Sequence, residues 1–172
     1  LLLRDLHVPA AYGGLIFNLL PDLRARIAGH FLGERLDLAP QVVERLVTAP
    51  RPLPSVEPVD EVYLQARSHF RDRLALIEAD VLRSLENDRM PLRHLAVANR
   101  RLAMNIGAAL ALGDPGYLGS DLAWVEGLLQ NRELSNGNLQ HFLQAYRRAA
   151  ASRLDERGAP IVAWLDQMTG KG

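Results

Sequence analysis

The stretch VDEVYLQARSHFRDRLALIEADVLRSL, residues 59–85, decides the fold. Its apolar side chains at 59, 62, 66, 70, 74, 77, 81 and 85 recur every three or four residues, the spacing that gathers them on one face of an α-helix. At the helical rise this is a rod about 40 Å long, long enough to be the scaffold of a bundle. Tyr63, Leu76 and Leu82 fall outside the stripe. A monomer would leave them partly in water, so a homodimer through this helix is expected.

Outward from the rod, Pro and Gly divide the chain. NDRMPLRHLAVANRRLAMNIGAALALGD, residues 87–114, predicts a second long helix with Pro91 in its first turn and Gly113 at its end. The connection is short enough to make the two antiparallel neighbours. Asp114-Pro115 is a cap and first-turn pair for the next helix. There Leu118, Leu122, Val125 and Leu129 form one stripe, and Tyr117, Asp121, Trp124 and Leu128 a second beside it. SNGNLQHFLQAYRRAAASRLDERG, residues 135–158, predicts a helix with Leu139, Phe142, Leu143, Tyr146 and Ala150 inward. APIVAWLDQM, residues 159–168, predicts a short closing helix in which Ile161, Trp164, Leu165 and Met168 cap the bundle.

Upstream, RPLPSVEP at 51–58 carries three prolines that favour extended backbone, so residues 49–58 read as a strap. LAPQVVERLVTAP, residues 38–50, predicts a short helix between Pro40 and Pro50. AAYGGLIFNLLPDLRARIAGHFLGERL, residues 10–36, reads as a helix broken near Pro21, with a second segment ending at Gly33. The expected organisation is an N-terminal helical hairpin over 1–48, the strap over 49–58 and a bundle over 59–172. The fold class is all-α, an antiparallel bundle of about six to seven helices, compatible with globin-like packing.

Composition agrees. A chain of 172 residues is long enough to bury roughly two thirds of its unfolded surface. Its residues are 48% hydrophobic but only 6% aromatic, so Leu, Ala, Val and Ile must build the core, which suits helix packing better than sheets. Twenty basic and twenty acidic residues cancel, which argues against nucleic acid or an anionic membrane as the main partner. The basic residues are nearly all Arg, with Lys171 the only lysine, a bias that fits a GC-rich genome. Without cysteine there are no disulfides, thiolate metal sites or thioether-linked chromophores. No apolar run reaches the 18 or so residues that span a bilayer, and LLLRDLHVPAAYGG lacks the form of a signal peptide. A cytoplasmic protein is expected, and the opening at Leu1 suggests a piece of something longer.

The most suggestive polar line lies on the helix ending at Leu112. His94, Arg101 and Asn105 are spaced by seven and four and share a face, with Gly107 and Ala108 leaving room for a close neighbour. Asn105, inside AMNIGAALAL, reads as a buried amide in need of a partner. Arg101 would meet a carboxylate or phosphate, and Asn105 would fix its orientation. With Trp124 at the edge, these four residues form the candidate ligand groove. His30 and Glu34, four apart, have metal-ligand spacing, but no Glu-x-x-His pattern accompanies them and Gly33 intervenes, so no metal is expected. No G-x-S-x-G motif or phosphate-binding glycine loop occurs.

The stretch ALALGDPGYLGSDLAWVEGLLQNRELSNGNLQHFLQAYRRAAASRLDERGAPIVAWL, residues 109–165, resembles the helical modules that precede cobalamin-binding domains in some bacterial regulators. The Gly-Asp-Pro turn, the helix with a central Trp and double Leu, and the two closing helices carry the likeness. Cobalamin-dependent photosensory repressors of that kind cover the corrinoid with a Trp and a downstream Glu-His pair. This chain has Trp124 but no Glu-His after it, and DLHVPA has Ala10 where Asp-x-His-x-x-Gly needs its glycine. The resemblance therefore implies a sensor or interaction module without a complete cobalamin site.

Three functions follow as expectations. The first is a non-enzymatic bacterial regulatory or sensory module in signalling, binding a small ligand or a partner helix. The second is a globin-like tetrapyrrole protein, holding haem or a bilin with His94 as axial ligand and Phe70 or Trp124 against the ring. The third is a helical enzyme of unrecognised type.

Overall fold

In the computed structural model, residues 10–86, 92–118 and 136–170 are described. The chain divides into two compact units, Leu1–Pro58 and Val59–Gly172, so the proline strap belongs to the first.

The second unit is the bundle. Its long helix α3 runs Glu61–Ser84, two residues shorter at the start than the apolar period suggests. Asp60 caps it by accepting from the Val62 N–H at 3.1 Å, and Val62 consequently sits in the exposed first turn. The rest of the predicted stripe does turn inward, with Ala66, Phe70, Ile77, Val81 and Leu85 buried. Tyr63 and Leu82, expected to need a second copy, pack against the unit's own core. Of that trio only Leu76 stays exposed.

Helix α4 spans Leu92–Leu112. Asn99 Nδ2 donates to the Glu78 carbonyl, while Gly113, at the far end of α4, lies beside Val59, before the start of α3. The pairings run in opposite senses, so the two helices are antiparallel as expected. Gly113 ends α4 at φ +78°, the left-handed turn that only glycine adopts without strain. A 3₁₀ turn at Pro115–Leu118 follows. Helix α5 is Asn136–Arg153 and α6 is Ala159–Thr169, joined by a 3₁₀ turn at Glu156–Gly158. On α5 and α6 the residues the periodicity marks, Leu139, Phe142, Leu143, Tyr146 and Ala150 with Ile161, Trp164 and Leu165, are buried, Met168 partly so, and Ala145 and Ala149 join them. Helix α3 is the shared wall, packing against α4, α5, α6 and the 156–158 turn.

The first unit departs from the expected helical hairpin. Ala11–Tyr12 (β1) pairs in parallel with His30–Phe31 (β2), Ala11 opposite His30 and Tyr12 opposite Phe31. Between them lie one helical turn, α1 at Ile16–Leu19, and a 3₁₀ turn at Pro21–Arg26. Two effects defeat the helical reading. Gly13-Gly14 breaks the helix at its start, Gly14 standing at φ +129°. An aromatic cluster then offers a better use for the same side chains. Tyr12 and Phe17 rings lie 4.7 Å apart, Tyr12 and Phe31 5.8 Å apart, and Arg24 stacks over Phe31 at 4.1 Å while its Nε donates to the Phe17 carbonyl. The short helix expected between Pro40 and Pro50 is present as α2, Ala39–Thr48. With its strand pair confined to four residues, the chain is all-α.

Candidate functional site

Helix α4 turns two unlike faces outward and inward. Leu95, Ala98, Asn99, Leu102 and Ile106 enter the core, which places Ala96, Val97, Arg100, Arg101 and Met104 on the opposite, exposed side. Of the residues singled out from the sequence, Arg101 is exposed, while His94 and Asn105 are half-buried at the margins between the faces. His94 Nε2 accepts from the neighbouring Arg93 Nε at 3.3 Å. Trp124, which was to complete the groove, lies outside the described residues, as does the helix predicted around it.

Asn105 is not the buried amide of this helix. Asn99 is, at 2% exposure. Its amide nitrogen reaches the Glu78 carbonyl at 3.3 Å, and its oxygen has no partner among the described residues. The signal for Asn99 was available: it sits four residues after Leu95 and three before Leu102, within the inward stripe.

Arg100 and Arg101, adjacent on α4, are both exposed. A surface depression of about 380 Å³ is lined by Ala96, Val97, Arg100 and Arg101. Val97, 50% exposed, and Met104, 63% exposed, extend an apolar strip along it. Helix α4 contains no Asp or Glu. Elsewhere arginines serve the architecture. Arg153 grips Asp80 of α3 through two bonds of 2.6 and 3.1 Å, which holds the Asp80 carboxyl below its ordinary range. Arg147 pairs with Asp166 of α6. Arg157 chelates Asp155, lowering that carboxyl as well. Asp155 also donates its backbone N–H to Nε2 of buried His69 at 3.2 Å, which makes His69 a satisfied core histidine.

A second cavity, of about 330 Å³, opens where the start of α3 and the turn after α4 approach α6. Tyr63, Asp114, Pro115, Pro160, Trp164 and Gln167 are among its lining. Trp164 caps the bundle as the sequence predicts, but it also borders this cleft. Sequence reasoning took Asp114 only as a helix cap. The cap is real, Asp114 Oδ1 accepting from the Gly116 N–H at 2.7 Å.

The metal-ligand spacing of His30 and Glu34 is not realised on a helix. His30 stands in β2 with Nε2 near the Arg51 carbonyl, and Glu34 pairs with Arg24 at 3.1 Å. Among the described residues no three His, Asp or Glu side chains gather as a metal site would require, and no helix is long and apolar enough to cross a membrane.

No protein-family model, curated protein or solved structure matches the chain.

Proposed function

We propose that the chain is a non-enzymatic regulatory or sensory module whose α4 face receives an acidic helix of a partner protein. The observation that carries this reading is the depression formed by Arg100 and Arg101 over Ala96 and Val97, on a helix without acidic residues. It is a groove between neighbouring turns of one helix, the relief into which side-chain ridges of another helix fit. Exposed Val97 and Met104 supply apolar contact, and the guanidinium groups supply selectivity for carboxylates. The face does not complement itself, since two copies would set arginine against arginine, so a different chain suits it better than a twofold pairing through α4. Arg101 is the principal anion contact, with His94 and Asn105 at the margins.

Chemical-shift mapping with a synthetic amphipathic helix bearing glutamates tests the proposal. Amides between Ala96 and Met104 are expected to shift saturably. A scrambled peptide of equal charge is expected to bind about tenfold more weakly, as is the unscrambled peptide with an Arg100→Glu, Arg101→Glu variant. Equal binding by the scrambled peptide, or shifts elsewhere only, refutes the reading. Shifts at the same amides from a free dicarboxylate alone would favour a small-ligand sensor instead.

A further inference from the structure

The cleft bordered by α3, the turn after α4 and α6 is independent of the α4 face, and its chemistry has the opposite sign. We infer that it is a binding site for an alkylammonium group.

Asp114 is the only charged residue of its lining among the described residues. Four other carboxylates of the bundle meet arginines: Asp72 with Arg71, Asp80 with Arg153, Asp155 with Arg157 and Asp166 with Arg147. Among the described residues no cation pairs with Asp114. One of its oxygens is fixed by the Gly116 N–H, which holds the carboxylate in place at the cleft. A side chain at residue 116 would run into that carboxylate, its Cβ falling 2.9 Å from Oδ1, so the turn is built around the acid.

The rest of the lining suits an organic cation better than a hydrated metal ion. Tyr63 and Trp164 bring two aromatic rings to the cleft, whose π-systems attract an ammonium that has lost part of its water. Pro115 and Pro160 contribute apolar surface of fixed shape, and Gln167 a side-chain carbonyl dipole that can favour a cation. A metal ion would need several oxygen ligands converging on a point, and the lining offers one carboxylate. The ammonium could belong to a free amine or to a modified lysine of a peptide. Both present the same group to Asp114 and the two rings.

The test uses the full chain carrying Trp124→Phe, which leaves Trp164 as the sole indole. Choline is expected to change its emission saturably. The neutral isostere 3,3-dimethylbutan-1-ol is expected to bind about tenfold or more weakly, because it has the shape without the charge. Asp114→Asn is expected to cost choline a similar factor while keeping the fold, since the asparagine oxygen still accepts from Gly116. The Gly116 amide resonance of the unsubstituted chain reports the same events should the Trp124 variant fail to fold. A trimethyllysine peptide binding about tenfold more tightly than choline would support the site with a protein side chain as its source, and equal binding would support it with a free amine. No saturable response, or equal responses to choline and its isostere or from Asp114→Asn, overturns the inference.

Discussion

Among the described residues Tyr146 is the largest fully buried side chain, and its hydroxyl has no hydrogen-bond partner among them. A buried hydroxyl without a partner loses its hydration and regains nothing, so removing it relieves a cost. Tyr146→Phe is therefore expected to hold stability level or raise it by up to about 1 kcal/mol in urea denaturation, whereas Tyr146→Ala should lose about 3–5 kcal/mol through the cavity it leaves. A clear loss in the Phe variant would show that the hydroxyl has a hydrogen-bond partner. Burial, followed by the nearby negative charge of Glu78, pushes the Tyr146 phenol well above its ordinary value of 10.0. The unfolded chain ionises near 10 and the folded chain does not. The stability held below that pH thus drains away as pH rises above it, and thermal melts of Tyr146→Phe should lack this part of the alkaline decline.

At the scale of the elements, helices are joined by arginine–carboxylate pairs and by tight turns. Asp80 and Asp155 are held below their ordinary 3.8 by Arg153 and Arg157. Their contribution is complete above the unfolded value and is lost as pH falls beneath it. The melting-temperature difference between the chain and Asp80→Asn should accordingly be constant near neutrality and shrink as pH falls below the unfolded carboxylate value. The turn into α6 is packed from within, a Cβ at Gly158 falling 2.5 Å from that of Leu154. Gly158→Ala should cost about 1–3 kcal/mol by overpacking, readable in the same melts. The long elements were legible because α3, α4 and α5 each repeat an apolar period over several turns. The first unit was not, because Tyr12, Phe17 and Phe31 meet through space, and a four-residue strand pair leaves no period to read. The candidate site divides the same way. Arg101 could be placed on a helix face from sequence because its spacing repeats with that helix. Asn99 was passed over for Asn105 because an amide inside a small-residue run looks buried, whichever way the helix is turned. The Asp114 cleft joins residues from 63 to 167, a distance in sequence that no local spacing bridges.

At the scale of the whole molecule the two units differ in self-sufficiency. Among the described residues of the first, Leu23 and Leu46 are the buried large aliphatics, while Leu15, Leu19, Leu36 and Val47 are each more than 60% exposed. The second unit holds a continuous core drawn from all four of its described helices. A fragment of residues 59–172 should therefore melt cooperatively as a helical protein by circular dichroism, and one of residues 1–58 should show no cooperative transition. The position of α3 as shared wall sets an order of opening. Releasing α4, α5 or α6 singly leaves α3 held by its other neighbours, so no partial opening bares its inner face completely. Deuterium should reach the backbone amides of Ala66 to Val81 only when the unit unfolds as a whole, and those of α6, which packs least against α3, well before that.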